Sequence, residues 1–290
     1  MKKSIFLSFI LCLCLIACIP QQAMAQKQSR MEKLLRYLND NDADKWQKNR
    51  EKLDDETKAY YAEDLSLMDV LNDLWNGQSE QAATLYFGCY EKAAQSNFPG
   101  ICEGEKIPLS QIRDKADQSI INLLEASKDK IPFSRALLDS IHATEYPVDS
   151  AMLQRLQNIR EVALLEGMLK APTPIIYQTY VKEYPNGKFI AQVNASENVR
   201  LYQLVKTAPT PANFKAFFED PEMQKYYQDR GPRPYLAEVR TLYDDFLFQR
   251  IDSLKKEGNA TAIRQIIDDY KNTPYLSTGA RTHLNDLEYL

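Results

Sequence analysis

The tetrapeptide Ala171-Pro172-Thr173-Pro174 returns unchanged as Ala208-Pro209-Thr210-Pro211 and once more, altered, as Asn259-Ala260-Thr261-Ala262. Threonine followed by proline marks a helix start. The hydroxyl can accept a free backbone N–H of the first turn, and proline's fixed φ and missing N–H suit the first helical position. A second mark follows each start, an aromatic-aliphatic-small triplet: Phe189-Ile190-Ala191, Tyr235-Leu236-Ala237 and Tyr275-Leu276-Ser277. The unit reads helix, turn, helix. A series of such units predicts an all-α solenoid of hairpins, each burying its apolar face against the next.

In the first copy Tyr177, Tyr180, Val181 and Tyr184 form the inner stripe of helix one, Pro185-Asn186-Gly187 makes the turn, and helix two runs from Phe189 to about Lys206. The second copy is longer. Thr210 to Tyr235 is 25 positions, against 16 from Thr173 to Phe189 and 14 from Thr261 to Tyr275. The excess falls at about residues 220–234. An enlarged loop in a repeat array is normally exposed and sometimes carries the binding residues. Tyr226, Tyr227, Arg230 and Arg233 are therefore the candidates for partner contact. The alternative is an extra helical turn followed by an inert Pro-rich bend.

Two stretches resemble tetratricopeptide-type repeats. One is Leu74-Trp75-Asn76-Gly77, followed by small residues at Ala82 and Ala83 and by Asn97-Phe98-Pro99, with several residues too many before Pro99. The other is Tyr184-Pro185-Asn186-Gly187-Lys188-Phe189-Ile190-Ala191, echoed in Tyr270-Lys271-Asn272-Thr273-Pro274-Tyr275-Leu276-Ser277. It is similar to the repeat of tetratricopeptide-like outer-membrane lipoproteins and periplasmic proteins of the bacterial cell envelope. The likeness covers about 35 residues well and is one of packing, without a catalytic residue. It implies a TPR-like solenoid that acts as an envelope adaptor.

The N-terminus agrees with export. Met1-Lys2-Lys3 precedes an apolar run over residues 5–16, Pro20 breaks it, and Ala23-Met24-Ala25 offers small residues for cleavage before Gln26. The rival is lipidation, since Leu15-Ile16-Ala17-Cys18 resembles a lipobox in which Cys18 would carry the anchor. Removing residues 1–25 changes the formal charge from −4 to −6, with 34 basic against 40 acidic residues. Interspersed signs on a mildly acidic surface argue against nucleic acid. Membrane contact would come only through the lipid. Cys89 and Cys102 would be the remaining cysteines, and an oxidising compartment favours a disulfide between them worth about 3 kcal/mol.

From residue 31 the pattern is helical, punctuated by Asn39-Asp40-Asn41-Asp42 and by caps at Asp54 or Asp55 and Ser79. Residues 26–30 read as a flexible lead-in. Residues 98–108, with two glycines and two prolines, read as an ordered loop. Helical hairpins over 26–108 and helical repeats over 109–290 are expected to run on continuously.

Chemistry is not specified. The two histidines, His142 and His283, belong to no metal-ligand spacing, and His142 reads as a partly buried polar residue. No nucleophile elbow or phosphate-binding glycine loop occurs among nine scattered glycines. Asp54-Asp55-Glu56, Asp244-Asp245 and Asp268-Asp269 are neighbours on helices, which point apart, whereas glycoside hydrolysis needs carboxyls facing across a cleft. The expectation is an exported adaptor binding an envelope protein or peptide, with no catalytic residues, cofactor or metal. A helical glycan or peptidoglycan hydrolase and a surface ligand-binding lipoprotein are the alternatives.

Overall fold

Capping chemistry starts the first two repeat helices where the sequence places it, and in the third copy the cap is Asn259, two residues before Thr261. In the computed structural model, which describes residues 23–77 and 79–288, Thr173 Oγ1 accepts the Ile176 N–H at 3.3 Å and Thr210 Oγ1 the Asn213 N–H at 3.3 Å. Asn259 Oδ1 accepts the Ala262 N–H at 3.1 Å. Among the described residues there are sixteen α-helices and no strand. The fold is all-α. No helix among them is long and apolar enough to cross a membrane.

The chain divides into two compact units between Arg160 and Glu161, so the expected boundary at 108/109 falls inside the first. The first unit holds α1 (residues 23–39), α2 (Ala43–Glu51), α3 (Asp55–Tyr60), α4 (Ala62–Asn72) and α5 (Glu80–Ala94). A π-helical turn, Asp73–Gly77, follows α4 directly. Then come α6 (Phe98–Gly104), α7 (Leu109–Ala126), α8 (Lys130–His142) and the start of α9 (Ser150–Lys170), within which the division falls.

Helix α5 is the axle of this unit. Ala82, Ala83 and Ala93 are buried and small, which lets α4 lie close along it. Tyr86, Phe87 and Tyr90 fill the space towards Tyr146, whose ring makes edge contacts at 4.9 to 5.5 Å with all three. The Tyr146 hydroxyl donates to Asp117 on α7. Asp117 is 9 % exposed and Asp64 on α4 only 1 %, and burial lifts both carboxyls to about 6. Ser96 Oγ donates to Asp64 Oδ1 at 2.7 Å.

Several expectations are corrected here. Residues 26–30 are helical, as part of α1. Residues 98–104 form α6, with Pro99 in its first turn, where the missing N–H costs nothing. That helix turns Phe98, Ile101 and Cys102 into the core, while Cys89 Sγ lies 3.6 Å from Ser66 Oγ on α4. The two thiols are free and not within bonding distance, so the expected disulfide is absent. Burial, with Asp64 and Glu103 nearby, pushes the Cys102 thiol up to about 12. His142 is exposed at the end of α8. Cys18 and the apolar run at 5–16 lie outside the described residues.

The second unit continues with α10 (Pro174–Glu183), α11 (Ile190–Thr207), α12 (Pro211–Glu219) and α13 (Pro221–Tyr227). It ends with α14 (Leu236–Lys256), α15 (Ala260–Tyr270) and α16 (Thr278–Glu288). Helix α11 packs on α10, α12, α13 and α14, and α15 packs between α14 and α16. The triplet aromatics tie neighbouring hairpins together. Tyr235 stacks on Tyr202 of α11 at 4.4 Å and 11°, and Tyr275 stacks on Phe218 of α12 at 4.3 Å and 4°.

The first turn shows why glycine stands at 187. Tyr180 Oη donates to Glu161 Oε1 at 2.8 Å and accepts the Phe189 N–H at 3.1 Å, and a Cβ on residue 187 would collide with both the hydroxyl and that carboxylate. Gly187→Ala is expected to destabilise this unit by about 2 kcal/mol by prising that buried bond apart. Thermal far-UV CD and amide exchange in α10 and α11 measure it.

The first unit carries a pH signature. The folded carboxyls of Asp64 and Asp117 lie above their unfolded values, so the protonated forms favour folding. That stability is whole below about pH 4 and is lost as pH rises to about 6. Both tryptophans, Trp46 and Trp75, belong to this unit and report its urea unfolding. Asp117→Asn is expected to flatten the fall in stability between pH 4.5 and 6.5 by on the order of 2 kcal/mol relative to the parent chain.

Candidate functional site

The longer second copy is where the helical pattern is interrupted. Asp220 closes α12 and at once caps α13, its Oδ1 accepting the Met223 N–H at 2.8 Å, and Pro221 takes the first helical position. Two turns later the chain leaves the helix through Gly231, at φ 98, into Pro232-Arg233-Pro234. Tyr235 then adopts φ 63, a left-handed conformation costly for a bulky side chain, and the stack on Tyr202 holds it there. Two prolines and two left-handed residues leave Arg233 little freedom.

Arg233 is thereby driven inward. It is 9 % exposed, with its guanidinium carbon 4.0 Å from the centre of the Phe217 ring. Nε donates to Asn198 Oδ1 at 2.7 Å and Nη1 to the Phe217 carbonyl, while Asn198 Nδ2 donates to the Pro234 carbonyl at 3.2 Å. Nη2 is enclosed and has no hydrogen-bond partner among the described residues. Among the described residues no carboxylate lies within ion-pair distance, and desolvation lowers the guanidinium's pKa, opposed by the more distant Asp220. A buried cation held by neutral oxygens alone is an expensive arrangement.

Around it lies an open depression of about 740 Å³. Its charged lining consists of Lys225, Arg233 and Arg240, with no aspartate or glutamate, and Phe218, Tyr227 and Tyr275 supply aromatic walls. Lys225 and Arg240 are exposed. A second depression of about 800 Å³ lies along α13, lined by Tyr226 and Arg230 and by Val181 and Ile190. Lys225 and Gln228 line both.

The four residues singled out by sequence are thus divided. Tyr226 and Arg230 face the second depression, with the Arg230 guanidinium 4.3 Å from the Tyr226 ring centre and its Nη1 donating to the Tyr226 carbonyl at 2.9 Å. Tyr227 and Arg233 line the first. Arg233, expected on an exposed loop, is a core residue, because its two flanking prolines turn the chain back onto α11 and α12. Most of the loop is also shorter than expected, since α13 occupies its first half. Lys225, Arg240, Phe218 and Tyr275 were not anticipated. Arg240 follows Leu236 by one helical turn, a detectable signal, but the two aromatics come from neighbouring hairpins. Among the described residues no three His, Cys, Asp or Glu side chains gather as metal ligands.

Removing one partner of a buried charge exposes its desolvation cost. Asn198→Leu is expected to destabilise the second unit by about 3 kcal/mol, and adding Arg233→Met to recover at least half of that loss. Amide exchange in α11 and α12 reads both. Compared with protein-family models, curated proteins and solved structures, the chain gives no significant match in any of the three.

Proposed function

We propose that this chain is an exported cell-envelope adaptor, a TPR-like solenoid that binds a protein or peptide partner through the helical-repeat surface around α13 and performs no catalysis. The observation that carries this reading is the ordered insertion between the second pair of helices, which raises two adjoining depressions on an otherwise regular run of hairpins. Helical repeats present binding surfaces of this kind, and enlarged inter-helix segments are where their recognition residues gather. The stacking of each later triplet aromatic on an earlier hairpin supports the repeat reading. The basic start, apolar run and small residues before Gln26, with Cys18 as the lipidated alternative, support export.

The test is in-cell photo-crosslinking from residue 228, which is exposed and lines both depressions, with Lys48 on α2 as the control position. A discrete adduct with one envelope protein from residue 228 and none from Lys48 is the expected result. Mass measurement should find the mature chain starting at Gln26 or at an acylated Cys18. A full-length chain in the cytosol, or no adduct from residue 228, would overturn the proposal.

A further inference from the structure

We infer that the depression lined by Lys225, Arg233 and Arg240 recognises an acidic peptide segment, one in which carboxylate side chains flank an aromatic or aliphatic one. This rests on the adaptor reading and names the chemistry of its partner. The chain as a whole is acidic, with a formal net charge of −4, yet this lining carries three cations and no carboxylate. Among the described residues neither Lys225 nor Arg240 takes part in a salt bridge, so both are available to a ligand. Arg233 lies enclosed at the wall, without a carboxylate partner, and contributes a fixed positive field. Such a field is stronger in a concave, partly desolvated site than on an open surface.

The rest of the lining selects the kind of anion. Leu236 and Tyr227, both half-buried, present apolar surface, suited to a hydrophobic side chain between two carboxylates. Extent argues for a segment over a small metabolite. The depression shares Lys225 and Gln228 with its neighbour along α13, whose lining carries Glu222 and Asp229 beside Arg230, so the acidic side chains belong at the first depression while the segment runs on past it.

The experiment uses the mature full-length chain and an end-blocked, fluorescein-labelled peptide, glycine-glutamate-phenylalanine-glutamate-glycine, with glutamine and lysine versions of the glutamates. Fluorescence anisotropy is expected to show the glutamate version binding about tenfold tighter than the glutamine version, with the lysine version not bound and affinity falling as salt rises. Lys225→Ala and Arg240→Ala should each weaken binding about three- to tenfold, and together abolish the preference for glutamate. Both residues are exposed, so the helical CD spectrum and melting temperature should not move, which separates lost recognition from misfolding. Equal binding of the glutamate and glutamine versions, an unaffected double variant, no binding at all, or preferential binding of an oligogalacturonate would each overturn the inference. Crosslinking from residue 228 to a partner that the double variant retains would overturn the pocket's role while leaving the adaptor reading intact.

Discussion

A buried tyrosine has to place a large ring in apolar surroundings and its hydroxyl against an acceptor, and this chain is assembled around that constraint. Tyr146 reaches Asp117 on α7, Tyr177 on α10 reaches Asn194 on α11, and Tyr180 on α10 reaches Glu161 on α9. Tyr202 on α11 reaches Glu238 on α14, and Tyr275, just before α16, reaches Glu219 on α12. Each bond ends on a different element from the one that carries the ring. The ring fills a gap between helices, and at Tyr146, Tyr177 and Tyr180, where the bond is buried, the hydroxyl selects one register between them, because a slip would leave two buried polar atoms without partners.

Against that background Arg233 is an exception. The other buried polar side chains of the second unit are satisfied locally: Glu197 by Arg200, at 2.6 and 2.8 Å, and Asn194 by Tyr177 and the Ile190 carbonyl. Among the described residues Arg233 Nη2 has no hydrogen-bond partner and no carboxylate lies within ion-pair distance of the guanidinium, although the left-handed Gly231 and Tyr235 on either side constrain its backbone. Natural proteins break local rules of this kind mainly where a ligand or partner completes the arrangement. The desolvated guanidinium, the two exposed cations and the aromatic walls occupy one depression, and the proposal of a binding element at the α13 insertion rests on this convergence.

The first unit follows a different economy. Its buried carboxylates, Asp64 and Asp117, answer to Ser96 and Tyr146 and sit among packed aromatics and aliphatics, serving the interior of the unit. Their raised pKa values follow from burial first, with hydrogen bonding opposing it. Helix α6 shows the same inward organisation. A segment rich in glycine and proline closes as a short helix because Phe98, Ile101 and Cys102 recur on one face and can all be buried at once.

Sequence alone determined the all-α class and the helix starts at Thr173, Thr210 and Ser79, because capping is a matter of a side chain and the backbone three residues on, whereas in the third copy Asn259 caps the helix and not Thr261. It also located the irregular insertion, through a spacing that any reader can count. What it could not settle depended on partners distant along the chain. Whether Cys89 meets Cys102 turned on α6 being helical, which is decided by burial and overrode the local signals of Gly100 and Pro99. Whether Arg233 points to solvent or core turned on Asn198 and the Phe217 carbonyl, some 35 and 16 residues earlier. The cationic depression likewise exists only once α13, α14 and the segment before α16 are brought side by side. Local backbone chemistry is written in order along the chain, whereas burial and charge complementarity are properties of surfaces that only tertiary packing assembles.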